Sequence, residues 1–175
     1  SSGLKDWNVS CNKTGYTWLN TSDNLRVVGC ADTITFDVNL SEDMYCPGQT
    51  GLSIEGSDYI FDCQQHTLSS DNSSGTFGLL MNTLDDAIVR NCIIKDFYIP
   101  IRLDGADYSI IYNNNLSTNY SYALYVLGNS EYNLIENNLI YANNTRGIFL
   151  EGGDHNIVKG NTIDTLDRQG LFVSE

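Results

Sequence analysis

The side chains with chemical potential in this 175-residue chain are five cysteines, two histidines, 22 carboxylates and a set of Asn-x-Ser/Thr triplets. Cys11, Cys30, Cys46, Cys63 and Cys92 contain no Cys-x-x-Cys pair, and His66 and His155 are scattered. A zinc site needs four closely grouped nitrogen or sulfur ligands, so no metal and no cofactor are expected. Disulfides in an oxidising compartment are the alternative, with Cys11, Cys30, Cys46 and Cys63 as candidates and one thiol left over; spacing alone leaves the pairing open. The triplets begin at Asn8, Asn12, Asn20, Asn39, Asn72, Asn115, Asn119 and Asn143. Chance would place roughly three in this composition, and the pattern is that of N-glycan acceptors on an exported protein. The competing explanation is that Asn, Ser and Thr are abundant in turn-rich β proteins.

Charge and apolar content narrow the class. Nine Lys and Arg against 22 Asp and Glu give a formal charge of −13, which repels phosphates and argues against a nucleic-acid partner. No stretch approaches the ~20 apolar residues of a membrane-spanning helix, and Ser1 does not open a basic, apolar leader. With 41% hydrophobic residues the chain can bury a core as one folded domain.

The elements that position these residues are read from an internal repeat. Ile88-Val89-Arg90-Asn91-Cys92-Ile93 aligns with segments beginning at Ile111, Ile135 and Val158, at offsets of 23, 24 and 23. A second segment, Ile101-Arg102-Leu103, recurs at Leu124, Ile148 and Leu171 in the same register. Both alternate with period two and are bounded by Asn, Gly, Asp or Ser, the marks of short strands. A period of about 23 with two or more strands predicts one turn of a parallel β-solenoid, with equivalent residues stacked about 4.8 Å apart. The expected inward columns are Ile88/Ile111/Ile135/Val158, Ile93/Leu116/Ile140/Ile163 and Ile101/Leu124/Ile148/Leu171. Asn91/Asn114/Asn138/Asn161 is expected to form an inward amide ladder at a bend.

Upstream the repeat loosens. Ile60 to Cys63 matches the Asn segment with Cys63 in the ladder column, and Leu79-Leu80-Met81 matches the second strand. The surplus residues are assigned to a loop at 69–75. Ile34 to Leu40 and Leu52 to Ile54 are read as an earlier, irregular coil. Residues 1–28 show no repeat and are assigned to a cap or assembly segment, leaving 29–175 as the solenoid. The final coil ends on the inward pair Leu171 and Val173, and its open edge is expected to meet another subunit's first coil or N-terminal segment, giving head-to-tail association.

Asp58-Tyr-Ile-Phe-Asp-Cys-Gln-Gln-His66, Gly78-Leu-Leu-Met81 and Asn156-Ile-Val-Lys-Gly-Asn-Thr-Ile163 together resemble the right-handed parallel β-helix repeat proteins. That superfamily includes pectate-lyase-like enzymes and the NosD-type repeats of archaeal and bacterial surface proteins. The resemblance implies an all-β fold and carries over no catalytic residue, because the repeat encodes core and ladder. NosD-like proteins are associated with copper-enzyme maturation, a role that Met44, Met81, His66 and His155 are too few and too scattered to support.

An enzyme on this scaffold would need clustered carboxylates with an Arg, Lys or His base on one face. In the four regular coils Asp104 falls in line with Leu127 and Glu151, and Asp107 with Ser130 and Asp154, so none places two carboxylates on adjacent rungs. Asp62 falls over Arg90 as a structural charge pair. An Asp85/Tyr108/Tyr132/His155 column holds its acid and imidazole three rungs apart, beyond direct proton transfer. No catalytic residue is assigned. The outward positions Leu80, Arg102, Tyr125, Phe149 and Phe172 form an apolar stripe, which marks a contact. Its expected cover is a neighbouring subunit or a glycan, or else the N-terminal segment with Trp7 or Trp18. Asn115 and the loop residue Asn72 are expected to face solvent as glycan acceptors. Asn119 and Asn143 share a turn column and are expected to point inward as a second short ladder. Asn8, Asn12, Asn20 and Asn39 have no assigned direction. The functional expectation is an extracellular structural solenoid of a cell surface, with itself or surface glycans as partner. The alternative is a carbohydrate-binding module or a polysaccharide lyase or hydrolase.

Overall fold

The computed structural model describes residues 16–19 and 26–174, and among them there are strands and turns but no helix. Three parallel sheets run along one axis. Sheet I is β4 (Val38–Asn39), β7 (Ile60–Asp62), β10 (Ile88–Arg90), β13 (Ile110–Tyr112), β16 (Leu134–Glu136) and β19 (Ile157–Lys159). Sheet II is β5 (Met44–Tyr45), β8 (Thr67–Ser69), β11 (Ile93–Lys95), β14 (Asn115–Thr118), β17 (Leu139–Ala142) and β20 (Thr162–Thr165). Sheet III is β3 (Asp32–Ile34), β6 (Leu52–Ser57), β9 (Phe77–Asp85), β12 (Ile99–Asp107), β15 (Leu124–Gly128), β18 (Ile148–Gly152) and β21 (Leu171–Ser174). The chain visits III, I and II in turn, so each strand pairs with its equivalent one coil away. The irregular coil expected over residues 34–54 is present as β3 to β6. β1 (Tyr16–Leu19) and β2 (Arg26–Gly29) form an antiparallel pair. The rest of the expected cap lies outside the described residues.

Inward columns make the core because alternate side chains of a strand face one way and every coil repeats the choice. Val89, Ile111 and Ile135 are fully buried, as are Ile94, Leu116 and Ile140, and Ile101, Leu124 and Ile148. At about 1.5–3 kcal/mol per buried aliphatic side chain, these columns are the main favourable contribution to stability. The last rung is different: Leu171 and Val173 occupy inward register positions and are 44% and 60% exposed.

Two expected columns are corrected by one residue. Val89, not Ile88, stacks on Ile111, and Ile94, not Ile93, stacks on Leu116. That step is 22 residues, followed by 24 and 23 (Val89, Ile111, Ile135, Val158). Ile88-Val89 and Ile93-Ile94 are adjacent apolar pairs, so either register puts an aliphatic residue inside, and a one-residue slip exchanges the two faces. The bend decides. Asn91 adopts a left-handed conformation (φ 55°) on the outside beside Asn113 and Asn137, leaving Cys92 at the inward ladder position.

The ladder therefore comprises Asn114, Asn138 and Asn161 only. Asn114 Nδ2 donates to Asn138 Oδ1 at 3.0 Å and to the Val89 carbonyl at 3.1 Å, and Asn138 Nδ2 donates to Asn161 Oδ1 and to the Ile111 carbonyl, both at 2.9 Å. Cys92 ends it, donating its backbone N–H to Asn114 Oδ1 at 3.0 Å. A second ladder runs along the bend between sheets III and I. Asn133 Nδ2 donates to Asn156 Oδ1 at 3.1 Å and to the Ala106 carbonyl at 2.7 Å, while its own Oδ1 accepts from Ser109 N–H at 2.8 Å.

Cysteine pairing also departs from expectation. Cys30 bonds Cys46 and Cys63 bonds Cys92, so Cys92 is not the residue left over; Cys11 lies outside the described residues. Cys63 and Cys92 meet because both turn inward at the sheet I to sheet II bend, one rung apart, which staples neighbouring coils. The surplus residues of the Cys63 coil divide between two bends. Asp62 to Arg90 is a step of 28, Thr67 to Ile93 one of 26, and Phe77 to Ile99 one of 22, so two extra residues lie in the turn at 63–66 and four in the loop at 70–76.

Candidate functional site

Sheet III carries the outward stripe in the expected register: Arg102 pairs with Leu80 and Tyr125, Tyr125 with Phe149, and Phe149 with Phe172. Rings on adjacent rungs touch: Tyr125 and Phe149 stack with centroids 5.2 Å apart, and Phe149 and Phe172 meet tilted at 5.1 Å. The stripe is not bare. Tyr122 packs on both Tyr125 and Phe149 at 5.0 and 4.7 Å, and the Arg146 guanidinium sits 4.3 Å over the Phe172 ring. Arg102 lies 5.1 Å over Phe77 and binds Asp104 at 2.7 Å. Phe149 is thereby only 7% exposed. The cover at these positions is thus the chain's own turn residues and Phe77. Trp7 and the side chain of Trp18 lie outside the described residues.

Tyr122 and Arg146 belong to the turns from sheet II to sheet III at 119–123 and 143–147. A polypeptide that must leave one strand and enter the next at a wide angle needs space there, and small residues supply it. Gly147, just ahead of β18, is so tightly placed that a Cβ would lie 2.6 Å from the Gly170 carbonyl and 2.4 Å from Ile163 Cγ2. Outside this narrow waist the turns of four successive coils open into a cleft of about 320 Å³ lined by Tyr98, Tyr120, Ser121, Tyr122, Asn144, Thr145, Arg146 and Arg168. Thr145 Oγ1 donates to the Ser121 carbonyl, which ties two of the turns together. Arg146 Nε donates to Gln169 Oε1 at 3.2 Å.

The electrostatics of this region oppose those of the whole chain. Ion pairs among the described residues take Arg90 to Asp62, Arg102 to Asp104 and Lys159 to Glu136, and none takes Arg146 or Arg168 to a carboxylate. Among the described residues, two guanidiniums therefore face the cleft without a carboxylate counter-ion. Behind it, the Tyr125 hydroxyl donates to the Glu151 carboxylate. Partial burial first, then that bond and the negative charge beside it, push the Tyr125 hydroxyl up to about 12. Phenol rings, guanidiniums, an amide and two hydroxyls around one concavity can stack on a flat apolar face and hydrogen-bond its polar rim.

No curated protein and no solved structure matches the chain. The description "right handed beta helix region" matches residues 26–175, from β2 through the last coil. The chain belongs to the right-handed β-helix family. In this β-helix the match spans every parallel strand, so family membership accounts for the core and the ladders and leaves the turns to individual chemistry.

The remaining sequence-predicted groups fall into place around that scaffold. Asp62 does meet Arg90, at 2.7 Å, and also accepts from Gln64 N–H and Asn91 Nδ2. Burial raises the proton affinity of that carboxyl, but these hydrogen bonds and the Arg90 charge outweigh it and hold Asp62 below the usual carboxylate range. The aromatic column beside sheet III is Asp86/Tyr108/Tyr132/His155 rather than one starting at Asp85, because Asp85 pairs with Asp107. Its rings are stacked at 4.9 Å (Tyr108 on Tyr132) and 4.5 Å (Tyr132 on His155). The Asp85 pairing also puts two carboxylates on adjacent rungs just upstream of the four coils used for the alignment. Asp107 is committed to bracing the next turn through Glu131 N–H at 2.7 Å. Asn119 and Asn143 correct another expectation, since both are exposed rather than inward; the inward residue of that bend is Thr118. Asn39 is exposed, and Asn115 and Asn72 are half-buried. Asn8 and Asn12 lie outside the described residues, as does Asn20.

Sequence reasoning missed Tyr98, Tyr120, Tyr122, Arg146 and Arg168. Their one legible signal is that Tyr122 and Arg146 stand 24 residues apart, one rung step in that coil, each just ahead of an outward aromatic. Stacking the turn residues as well as the strands would have brought them together.

Proposed function

We propose that this β-helix is an exported cell-surface solenoid whose sheet II to sheet III turns bind a saccharide. The observation that carries the reading is the cleft itself: Tyr98, Tyr120 and Tyr122 beside Arg146 and Arg168, which have no carboxylate partner among the described residues. A sugar ring offers apolar C–H faces to phenols and a rim of hydroxyls to Arg, Asn and Thr, and a volume of about 320 Å³ suits one or two rings rather than a long chain. Export is supported by the two disulfides and by the excess of acceptor triplets. In this role the solenoid is a rigid stalk or surface-layer element that presents its cleft laterally.

The test is a saccharide panel titrated calorimetrically against the wild type and a Tyr122→Ala/Arg168→Ala variant, both produced without glycans, the variant's circular dichroism being unchanged. At least a tenfold loss of affinity in the variant is expected. Failure of every sugar to bind the wild type, or equal binding by the variant, refutes the reading. Assaying the same mixtures for new reducing ends or unsaturated products separates binding from turnover.

A further inference from the structure

We propose that Asn119 and Asn143 form an N-glycan acceptor pair that carries one glycan at a time, and that the attached glycan folds back over the turn cleft. The second clause rests on the saccharide reading; the first stands apart from it.

Placement singles out this pair. The triplets Asn119-Tyr120-Ser121 and Asn143-Asn144-Thr145 follow β14 and β17 and lie one rung apart, with Asn143 N–H donating to the Thr118 carbonyl at 3.0 Å. Both asparagines are exposed. Four of the eight residues that line the cleft, Tyr120, Ser121, Asn144 and Thr145, are the second and third residues of these two triplets. The other described triplets lack that setting. Asn115 is half-buried in β14 with strands paired on both sides. Asn72 holds its Oδ1 buried, and Asn39 sits within β4.

The chemistry is a transfer from a lipid-linked oligosaccharide donor of the export machinery. Asn Nδ2 attacks the sugar's anomeric carbon, an N–C bond forms, and the bond from that carbon to the lipid's phosphate oxygen breaks. The lipid leaves with the bonding electrons as its phosphate or pyrophosphate, and the amide proton passes to a base of the transferase. Adjacent rungs are about 4.8 Å apart, no more than the width of one pyranose ring, so a sugar on either asparagine blocks the other. From either position the first rings meet Tyr120 and Tyr122, with Arg146 and Arg168 beyond.

The experiment secretes the full chain from a host that glycosylates Asn-x-Ser/Thr and maps occupancy by mass spectrometry of intact protein and peptides. The wild type, Asn143→Gln, Asn119→Gln and the double variant are compared. One glycan over the pair is expected in the wild type and in each single variant, and none in the double variant. A molecule carrying both glycans, or a wild-type pair carrying none, overturns the proposal. Titration with the best-binding sugar of the panel then separates the two clauses. The double variant should bind at least tenfold more tightly than the glycosylated wild type, because its cleft is empty. Equal affinity of the two forms overturns the fold-back. If the double variant binds no free sugar while the pair is occupied, the saccharide reading and the fold-back both fall and the acceptor pair stands.

Discussion

Replacing Asn138 by Leu should cost about 4 kcal/mol of folding stability, although Leu fills nearly the same volume and leaves no cavity. The buried Asn138 side chain donates to Asn161 Oδ1 and to the Ile111 carbonyl, and accepts from both the backbone N–H and the Nδ2 of Asn114. Leucine strands the Ile111 carbonyl, the Asn114 N–H and one Asn114 amide hydrogen, each at about 1–3 kcal/mol, with some relief where a water enters. Exposed Asn113 is the control: it gives up one bond, to Asn91 Oδ1 at 2.6 Å, and Asn113→Gly, which suits its left-handed backbone (φ 56°), should cost less than about 1 kcal/mol. The assay is urea unfolding followed by far-ultraviolet circular dichroism, with unchanged slopes confirming the same folded and unfolded states. A third variant, Asn114→Leu/Asn138→Leu, should cost less than the two single substitutions summed, since it removes groups the single changes leave orphaned. If Asn138→Leu falls within 1 kcal/mol of the wild type, or if the double change is additive, the ladder is not a coupled network and its energetic role here is wrong.

Cys63→Ser/Cys92→Ser should destabilise by about 3–4 kcal/mol, slightly more than Cys30→Ser/Cys46→Ser, because the staple closes a span of 29 residues against 16; equal midpoints under reducing and non-reducing conditions would contradict this. Tyr125 holds its proton more tightly when folded, up to about 12 against an ordinary 10.0, so its contribution is full below pH 10 and is lost as pH rises toward 12. Discounted for its partial exposure, the loss is about 1–2 kcal/mol at about 1.4 kcal/mol per pH unit, and chemical unfolding at pH 9 and pH 12 should show it in the wild type and not in Tyr125→Phe. Asp62 carries the opposite sign: its folded carboxyl is lowered, so its contribution is present above pH 3.8 and fades as pH falls below that value. Asp62→Asn should be less stable at neutral pH and less acid-sensitive, and parallel acid-unfolding curves for the two proteins would refute the assignment.

How much of this was legible in the residues depends on what each position is asked to do. Strands such as Ile101-Arg102-Leu103 were legible because the same inward–outward choice recurs in every coil, and a column of four is hard to produce by accident. Ile88-Val89 and Ile93-Ile94 were misread because both residues of each pair are apolar, so the alternation that sets register is silent there. What selects the true register is the bend, where Cys92 reaches Cys63 and Asn91 takes a left-handed conformation. Those constraints act across rungs and leave no local pattern. The second ladder escaped for a related reason: its column reads Ser109, Asn133, Asn156, and a change of residue type hides a repeat whose geometry is unchanged.

The cleft was illegible on stronger grounds. Solenoid strands must resemble one another, since each buries its face against the next, and that requirement erases individuality from the sheets. Turns are free of it once they clear the waist set by Gly147 and Gly170. Chemistry specific to this chain therefore belongs in the turns, where Tyr98, Tyr120, Tyr122, Arg146 and Arg168 are found and successive coils differ at most positions. It follows that replacing residues 143–146 by the sequence of residues 119–122, with Gly147 kept, should leave the fold and the Asn138 ladder in place while removing Arg146 from the cleft. Saccharide binding should then fall with unfolding unchanged, whereas a parallel loss of both would show that the turns, like the strands, serve the core.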